Sequence, residues 1–153
     1  MHRAVLVNAM ATQHCLLIAA LLLPGCAKEV GRVPFAGEGS SGTFATLNAG
    51  RVAFWTDLNI EYDGSAKLDY RVALYQEGKP VATVVCNPLE DLGTKLFWFE
   101  RDRASTHSRS GKAEMSCSTT LAKAGPTVVG ATLAFATAPT RAVIAKADLI
   151  VKQ

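Results

Sequence analysis

The sequence predicts an all-β protein, an antiparallel β-sandwich or small barrel of roughly seven to eight strands. Apolar and polar residues alternate over most of the chain after residue 43, and turn residues interrupt this alternation at fairly regular intervals. No segment of the same region shows convincing helical periodicity. The length of 153 residues fits one domain, and we divide the chain into a signal peptide (1–25), a tether (26–42) and a β-sandwich domain (43–153).

The clearest strands are predicted at 51–62 and 67–75. In the first, apolar residues alternate with Asp57, Asn59 and Glu61, which is typical of a half-buried strand, and the second repeats the pattern. Asp, Gly and Ser at 63–65 supply turn residues between them. Because both apolar faces should point to one side of a hairpin, we expect the strands to pair across a loop at 63–67, with Ile60 opposite Tyr70.

Further strands follow along the remaining chain. Alternating or apolar segments are found at 80–86, 94–101, 111–121, 127–137 and 141–152, and a shorter one at 43–47. Turn residues separate them at 77–79, 87–88, 124–126 and 138–139. Strands joined by short turns in this way are typical of antiparallel sheets.

The first 25 residues have the pattern of a signal peptide. An apolar run, CLLIAALLLP, covers residues 15–24 and is preceded by Arg3 as the single firm positive charge. A membrane-spanning helix needs about 20 apolar residues, so this run is better explained as the apolar region of a leader. Translation could start at Met1 or at Met10, which would remove Arg3.

Residues Leu23, Pro24, Gly25 and Cys26 resemble the lipobox of bacterial lipoproteins. The resemblance implies cleavage after Gly25, a diacylglyceryl thioether on Cys26, and fatty acyl chains such as palmitate that anchor the protein in a membrane. Ala27, at the second position of the mature chain, is similar to the sorting signal of some Gram-negative lipoproteins and implies an outer membrane location facing the periplasm. The alternatives are an ordinary secretory leader and a buried apolar helix.

The segment after Cys26 is rich in glycine and serine. Residues 27–42 show neither helical nor alternating periodicity, so we expect a flexible tether with an end-to-end distance of about 20–25 Å. Gly37, Gly39 and Gly42 match the spacing G-x-G-x-x-G of dinucleotide sites, but the sequence predicts no strand before them and no helix after them. We therefore predict no nucleotide cofactor.

Cysteine parity suggests a disulfide. Removal of the leader takes Cys15 and leaves Cys26, Cys86 and Cys117. If Cys26 is lipidated, the other two are expected to form a disulfide that closes a loop of about 32 residues. The alternatives are two buried thiols or a metal site with two cysteines, and neither cysteine has a ligand-spaced His or second Cys beside it.

The most distinctive polar stretch is ERDRASTHSRSGK at 100–112, which we interpret as a long hairpin loop. Together with several Ser and Thr hydroxyls of the same stretch, its positive and potentially positive side chains could bind a phosphate, a carboxylate or an acidic glycan, and these side chains are Arg101, Arg103, His107, Arg109 and Lys112. The alternative is a mobile loop whose charges are solvated. A calcium site at 57–63 is not expected, because Tyr62 and Leu68 stand where a calcium loop needs Gly and Glu.

Charge and motifs narrow the function. The formal net charge is +3 at pH 7, and the basic residues are dispersed among acids, which does not indicate a nucleic-acid binder. His107 is the single histidine after the leader, and no nucleophile or metalloprotease motif accompanies it. The hypothesis is an envelope lipoprotein with a non-catalytic binding or structural domain, which recognises an anionic ligand, a glycan or an envelope protein. The alternatives are an inhibitor or assembly accessory of another envelope protein, and a hydrolase of envelope polymers that uses two carboxylates.

Overall fold

The computed structural model describes residues 27–153, and the predicted signal peptide and Cys26 lie outside the described residues. All regular structure in this range is β. The strands are β1 (Glu29–Val33), β2 (Gly39–Leu47), β3 (Gly50–Asp63), β4 (Lys67–Gln76), β5 (Lys79–Cys86), β6 (Leu92–Arg103), β7 (Thr106–Leu121), β8 (Gly125–Thr137) and β9 (Arg141–Lys152). None of the described residues belongs to a helix that could cross a membrane.

The strands form two antiparallel sheets that pack as a sandwich, as the sequence predicted. Sheet A has five strands in the order β1-β9-β3-β7-β6, and sheet B has four in the order β2-β8-β4-β5. Every predicted strand from 51 onward is present, and the short segment at 43–47 is the end of β2. Local alternation was sufficient for most of these assignments because most strands bury one face and expose the other, although β6 has no fully buried residue.

The core lies between the sheets and is contributed by both. Phe54 and Leu149 of sheet A and Tyr70 and Leu133 of sheet B are at most 1% exposed. Burying a large apolar side chain of this kind stabilises the fold by about 1.5–3 kcal/mol. The hydroxyl groups of Tyr70 and Thr56 lie 3.1 Å apart across the core and share a hydrogen bond, so neither buried hydroxyl lacks a partner.

The predicted hairpin between 51–62 and 67–75 is wrong. β3 pairs with β7 and β9, whereas β4 pairs with β5 and β8, so the two strands lie in different sheets. Ile60 lies opposite Arg109 and Ile144 rather than opposite Tyr70. Two strands can bury their apolar faces in the same core either as neighbours in one sheet or from opposite sheets. The alternation of apolar and polar residues is the same in both arrangements, so it does not identify the pairing partner.

The predicted tether is also wrong for most of its length. Residues 29–33 form β1, which pairs with the C-terminal strand β9, and β2 begins at Gly39. The Lys28 and Gln153 backbones extend this pairing, since each N–H donates to the other residue's carbonyl at 2.7 and 3.0 Å. A Cβ on Gly31 would lie 3.4 Å from a methyl group of Thr43, so this glycine permits close approach of β1 to β2.

The stretch 100–112 is not a long loop. β6 and β7 run through it and are joined by a tight turn at 104–105, where Ala104 has a φ of 51°. Arg101 lies opposite Ser108 and Arg103 opposite Thr106. Because the segment is a hairpin, its side chains alternate between the two faces of sheet A instead of converging.

The predicted disulfide between Cys86 and Cys117 is present, with the Cα atoms 5.3 Å apart and a sequence separation of 31. Cys86 ends β5 of sheet B and Cys117 lies in β7 of sheet A. The bond therefore joins the two sheets covalently, beside the edge of the sandwich formed by β5 and β6. A loop of this length corresponds to about 3–4 kcal/mol of stabilisation in the chain-entropy model.

Candidate anion-binding site

Arg101 and Arg103 project from the outward face of β6, near its hairpin with β7. The hydroxyl residues opposite them, Ser108 and Thr106, project from the same face. Together with Glu61 of β3, these four residues line a cleft of about 250 Å³. The two guanidinium groups and the hydroxyl of Ser108 can donate hydrogen bonds to a phosphate or carboxylate group, whereas the hydroxyl of Thr106 donates its proton to Asp63.

The two acids near this cleft share one cationic partner. Arg141 of β9 lies 2.7 Å from Glu61 and 3.1 Å from Asp63. The hydroxyl of Thr106 donates to Asp63 at 2.7 Å, and this bond together with Arg141 holds the pKa of Asp63 below its ordinary value. Within residues 27–153, Arg101 and Arg103 take part in no ion pair. Their charges are free to meet a ligand.

His107 and Arg109 do not belong to this cleft. They alternate with Thr106 and Ser108 and project from the inward face of sheet A, where His107 stacks on Tyr62 with ring centroids 5.1 Å apart. Both side chains contact Asp102, Arg109 at 2.7 Å and His107 at 2.8 Å. Their hydrogen bonds, that of Arg109 first, hold the pKa of Asp102 below its ordinary value. Arg109 and His107 therefore have a carboxylate partner within the hairpin, namely Asp102.

Lys112 is also separate from the cleft. Its ammonium group lies 3.9 Å from Asp57, which also contacts Lys146 at 2.7 Å and Arg32 at 3.4 Å. Burial opposes ionisation of Asp57, but the hydrogen bond and charge of Lys146 and the neighbouring Arg32 hold its pKa below the ordinary value. Lys112 therefore belongs to an ion-pair network on the outer face of sheet A.

Glu61 was not found from the sequence, and the hydroxyl residues of 100–112 were expected to contribute only as a group, without Thr106 and Ser108 being singled out. The two hydroxyl residues could have been found by treating 100–112 as a hairpin, because Arg101, Arg103, Thr106 and Ser108 then fall on one face. Glu61 gave no comparable signal. Its place depends on β3 pairing with β7, which the sequence did not reveal.

Exposed apolar side chains continue the outward face of β6 beyond Arg101. Phe99 is 68% exposed, and Phe97, in a bulge with a φ of 52°, is 86% exposed. The acids of the same strand project from the other face, where Glu100 contacts Lys95 and the Trp98 ring nitrogen. The outward face of β6 is therefore both apolar and cationic.

Two carboxylates do meet on sheet A, which bears on the hydrolase hypothesis. Asp57 and Asp148 lie directly opposite each other on β3 and β9. Arg32 contacts both, at 3.4 and 2.8 Å, and Lys146 lies 2.7 Å from Asp57 and 3.7 Å from Asp148. Carboxylates held in this way form ion pairs on a sheet surface, and the pair gives the hydrolase hypothesis no support.

Comparison with known proteins does not assign the chain to a family. No protein-family model matches it, and no curated protein is significantly similar to it. A proposal for the function of the protein therefore rests on the geometry of the site.

Proposed function

We propose that this protein is an envelope lipoprotein, anchored through Cys26, whose sandwich binds an anionic group at Arg101 and Arg103 without chemical conversion. The observation that carries the proposal is the pair of arginines without ion pairs beside Thr106 and Ser108, in a cleft whose acidic neighbours Glu61 and Asp63 are both paired with Arg141. A phosphate, a carboxylate or an acidic glycan has the charge and the acceptor atoms that this cleft requires.

The position of the cleft in the fold supports this function. Cys26 is separated from Lys28 by Ala27 alone, and Lys28 is hydrogen-bonded to Gln153 at one end of sheet A. The cleft lies at the other end, where Asp63 pairs with Thr106. Along β3, Ala53, which pairs with Lys152, marks the first end and Asp63 the second. At about 3.3 Å per residue the two ends are roughly 30 Å apart. A lipid anchor on Cys26 would leave the cleft directed away from the membrane.

A titration with inorganic phosphate tests the site. In heteronuclear NMR spectra of the protein starting at Ala27, we expect phosphate to shift the amide signals around Arg101, Arg103, Thr106 and Ser108. The double variant Arg101→Ala/Arg103→Ala should lose these shifts. Arg71→Ala is the matched control, since Arg71 is an exposed arginine of sheet B that also lies outside the ion pairs of the described residues. Shifts that persist in the double variant would reject the site.

Intact mass of the membrane-extracted protein tests the anchor. We expect a mass that corresponds to cleavage after Gly25 and two or three acyl chains, and a Cys26→Ser variant should carry none of them. An unmodified cysteine at position 26 would reject the lipoprotein proposal. It would leave the phosphate titration unaffected, so the two parts of the proposal can fail separately.

A second candidate is an inhibitor or assembly accessory that binds an acidic segment of another envelope protein. The exposed Phe97 and Phe99 beside Arg101 favour it, because a protein segment can cover apolar and charged side chains together. Retention of an envelope protein from a membrane extract that is lost in both Phe99→Ser and Arg101→Ala would support this candidate. Loss in Arg101→Ala alone would instead favour a small anion.

A further inference from the structure

β6 is an edge strand, and its outer side has no partner. It ends the strand order of sheet A, and among residues 27–153 the only strand that pairs with it is β7. The further backbone hydrogen bonds of the described chain do not involve it. Residues 99–103 are all exposed, so the described chain leaves this side of the strand open to solvent. An unpaired edge of this kind is a template for another extended chain.

The other edges of the sandwich are covered or interrupted. β1 and β2 lie against each other, since a Cβ on Gly31 of β1 would lie 3.4 Å from a methyl group of Thr43. β5 contains Pro80, which has no N–H group to donate. β6 has a bulge at Phe97, but the five residue pairs over 99–103 follow without a shift of register. The regular part of β6 is therefore able to pair with a further strand.

The backbone groups that face the open side belong to Glu100 and Asp102. The N–H of Gly64 donates to the carbonyl of Ser105 at 2.8 Å, so the backbone of Ser105 points to β3. Because the backbone groups of an antiparallel strand point alternately to its two neighbours, residues 106, 108 and 110 of β7 point to β6. Their partners on β6 are Arg103, Arg101 and Phe99. The residues between these partners therefore direct their N–H and C=O groups away from β7.

The side chains beside this edge determine the chemistry of a partner strand. Phe99, Arg101 and Arg103 project from the outward face of sheet A, and Phe99 is 68% exposed. Neither arginine has an ion pair in the part of the chain that the structure describes. A strand added to β6 places its own side chains directly opposite these three, so acids match the arginines and an apolar residue matches Phe99. An antiparallel partner therefore carries the pattern acid-x-acid-x-apolar along its chain.

We propose that β6 binds an extended acidic segment of another protein as an additional antiparallel strand of sheet A. Main-chain hydrogen bonds to Glu100 and Asp102 hold the segment, and its two acids pair with Arg101 and Arg103. The inference rests on the proposed anion-binding site, because the carboxylates of the segment bind the same two arginines. It adds the class of ligand and the way in which that ligand is held.

The charges of β6 disfavour a second copy of the same strand. Residues that lie directly opposite each other in an antiparallel pair project from the same face, so two copies related by a two-fold axis pair in a register centred on one residue. A register centred on Glu100, Arg101 or Asp102 places that charged residue opposite itself. A register centred on Phe99 places the bulge at Phe97 opposite Arg101. Like charges directly opposite each other destabilise a sheet, so a different, acidic chain is the better partner.

Amide hydrogen exchange measured by NMR tests the proposal. The probe is the blocked peptide Thr-Asp-Thr-Asp-Thr-Phe-Thr, and the protein starts at Ala27, which retains every described strand and pairing. In the free protein, the amides of Glu100 and Asp102 should exchange rapidly, whereas those of Arg101 and Arg103 should be protected by their bonds to β7. Saturating peptide should slow exchange at Glu100 and Asp102 at least about 10-fold. Arg101→Ala/Arg103→Ala should abolish this slowing, and the control Arg71→Ala should retain it.

Methylation of the peptide backbone separates strand addition from attraction between charges alone. The fifth residue of the peptide lies opposite Glu100 and directs its N–H at β6, whereas the fourth residue, opposite Arg101, directs its N–H away. N-methylation of the fifth residue should therefore weaken binding at least about 10-fold, because a hydrogen bond is lost and the methyl group meets β6. N-methylation of the fourth residue should change binding less than about 3-fold.

Three results would overturn the proposal. Equal effects of the two methylations would show that the peptide backbone does not pair with β6. Peptide binding without slower exchange at Glu100 and Asp102 would show that the arginines bind carboxylates alone. Slow exchange at these two amides in the free protein, increasing with protein concentration, would identify a second copy as the partner. A protein that binds phosphate but not the peptide would retain the anion-binding site and lose the strand addition, so the two proposals can fail separately.

Discussion

The two sheets share one core but differ sharply on their outer faces. Every ion pair found in residues 27–153 joins side chains of sheet A, whereas none involves a residue of sheet B. Both sheets nevertheless supply fully buried apolar side chains. Exposed ion pairs contribute about 0–1 kcal/mol each, so this difference has little to do with stability. It determines which molecules each face can bind.

The first test of this comparison concerns the shared core. Phe54 of sheet A is fully buried between the sheets, so Phe54→Ala should lower the free energy of unfolding by about 3–5 kcal/mol. Phe99→Ala, a change to an exposed phenylalanine of the same sheet, should change it by less than about 0.5 kcal/mol. Urea denaturation followed by circular dichroism measures both. Equal effects of the two variants would contradict the assignment of inward and outward faces.

The second test removes the covalent link between the sheets. Replacing Cys86 and Cys117 together with alanine should lower the free energy of unfolding by about 3–4 kcal/mol, because the unfolded chain regains the freedom of a closed loop. Thermal unfolding of the variant and of the reduced native protein should agree. A variant as stable as the oxidised protein would show that the bond adds nothing to the contact between the sheets.

The third test uses pH to weaken the ion pairs of sheet A. The folded-state pKa of Asp57 is lowered by Lys146 and Arg32, so its contribution to stability is present at neutral pH and is lost as pH falls below about 4 through that pKa. Asp148 and Lys112 face the same carboxylate. Asp57→Asn should lower the free energy of unfolding by about 1 kcal/mol at pH 7. In acid, the variant and the native protein should have the same free energy of unfolding. Stability curves that stay parallel from pH 7 to pH 3 would contradict this role.

The smallest expected effect on stability comes from the arginines that remain unpaired. Arg101→Ala/Arg103→Ala should change the free energy of unfolding by less than about 0.5 kcal/mol, since no ion pair of the described residues is lost. A loss of more than about 1 kcal/mol would mean that these side chains support the fold and are not free for a ligand. Urea denaturation of this double variant, beside Arg71→Ala from sheet B, makes the comparison.

The strands could be predicted from the sequence, but their partners could not. Alternation is a local property, and it identified every strand from β3 onward. The pairing of β3 is a global property, and the apolar face of Ile60 and Leu58 is buried equally well by a neighbour in the same sheet or by the opposite sheet. The wrong prediction of a tether has another cause. A glycine that allows close packing of strands, such as Gly31, cannot be distinguished in the sequence from a glycine in a flexible linker.

The candidate site was predicted in part. The charge of 100–112 drew attention to Arg101 and Arg103, which are exposed in the structure. Because the segment was treated as a loop, the prediction did not use the alternation of faces along a strand. That alternation places Arg101 and Arg103 on the outward face, whereas His107 and Arg109 face inward and contact Asp102. Lys112 was grouped with them by proximity in sequence, but in the fold it lies beside Asp57. In a charged hairpin, the face on which each side chain lies can be assigned only when the position of the turn is known.

The pairing of β1 with β9 has a consequence for the order of folding. β9 lies between β1 and β3, and it is the last strand of the chain. Sheet A cannot be completed until residue 152 is available, and β1, formed from the first described residues, must wait for it. Cys86 and Cys117 are both present well before that point, so the bond between the sheets can form while the N-terminal strand is still without its neighbour. The pairing of sheet A is therefore complete only when β9 has joined both β1 and β3.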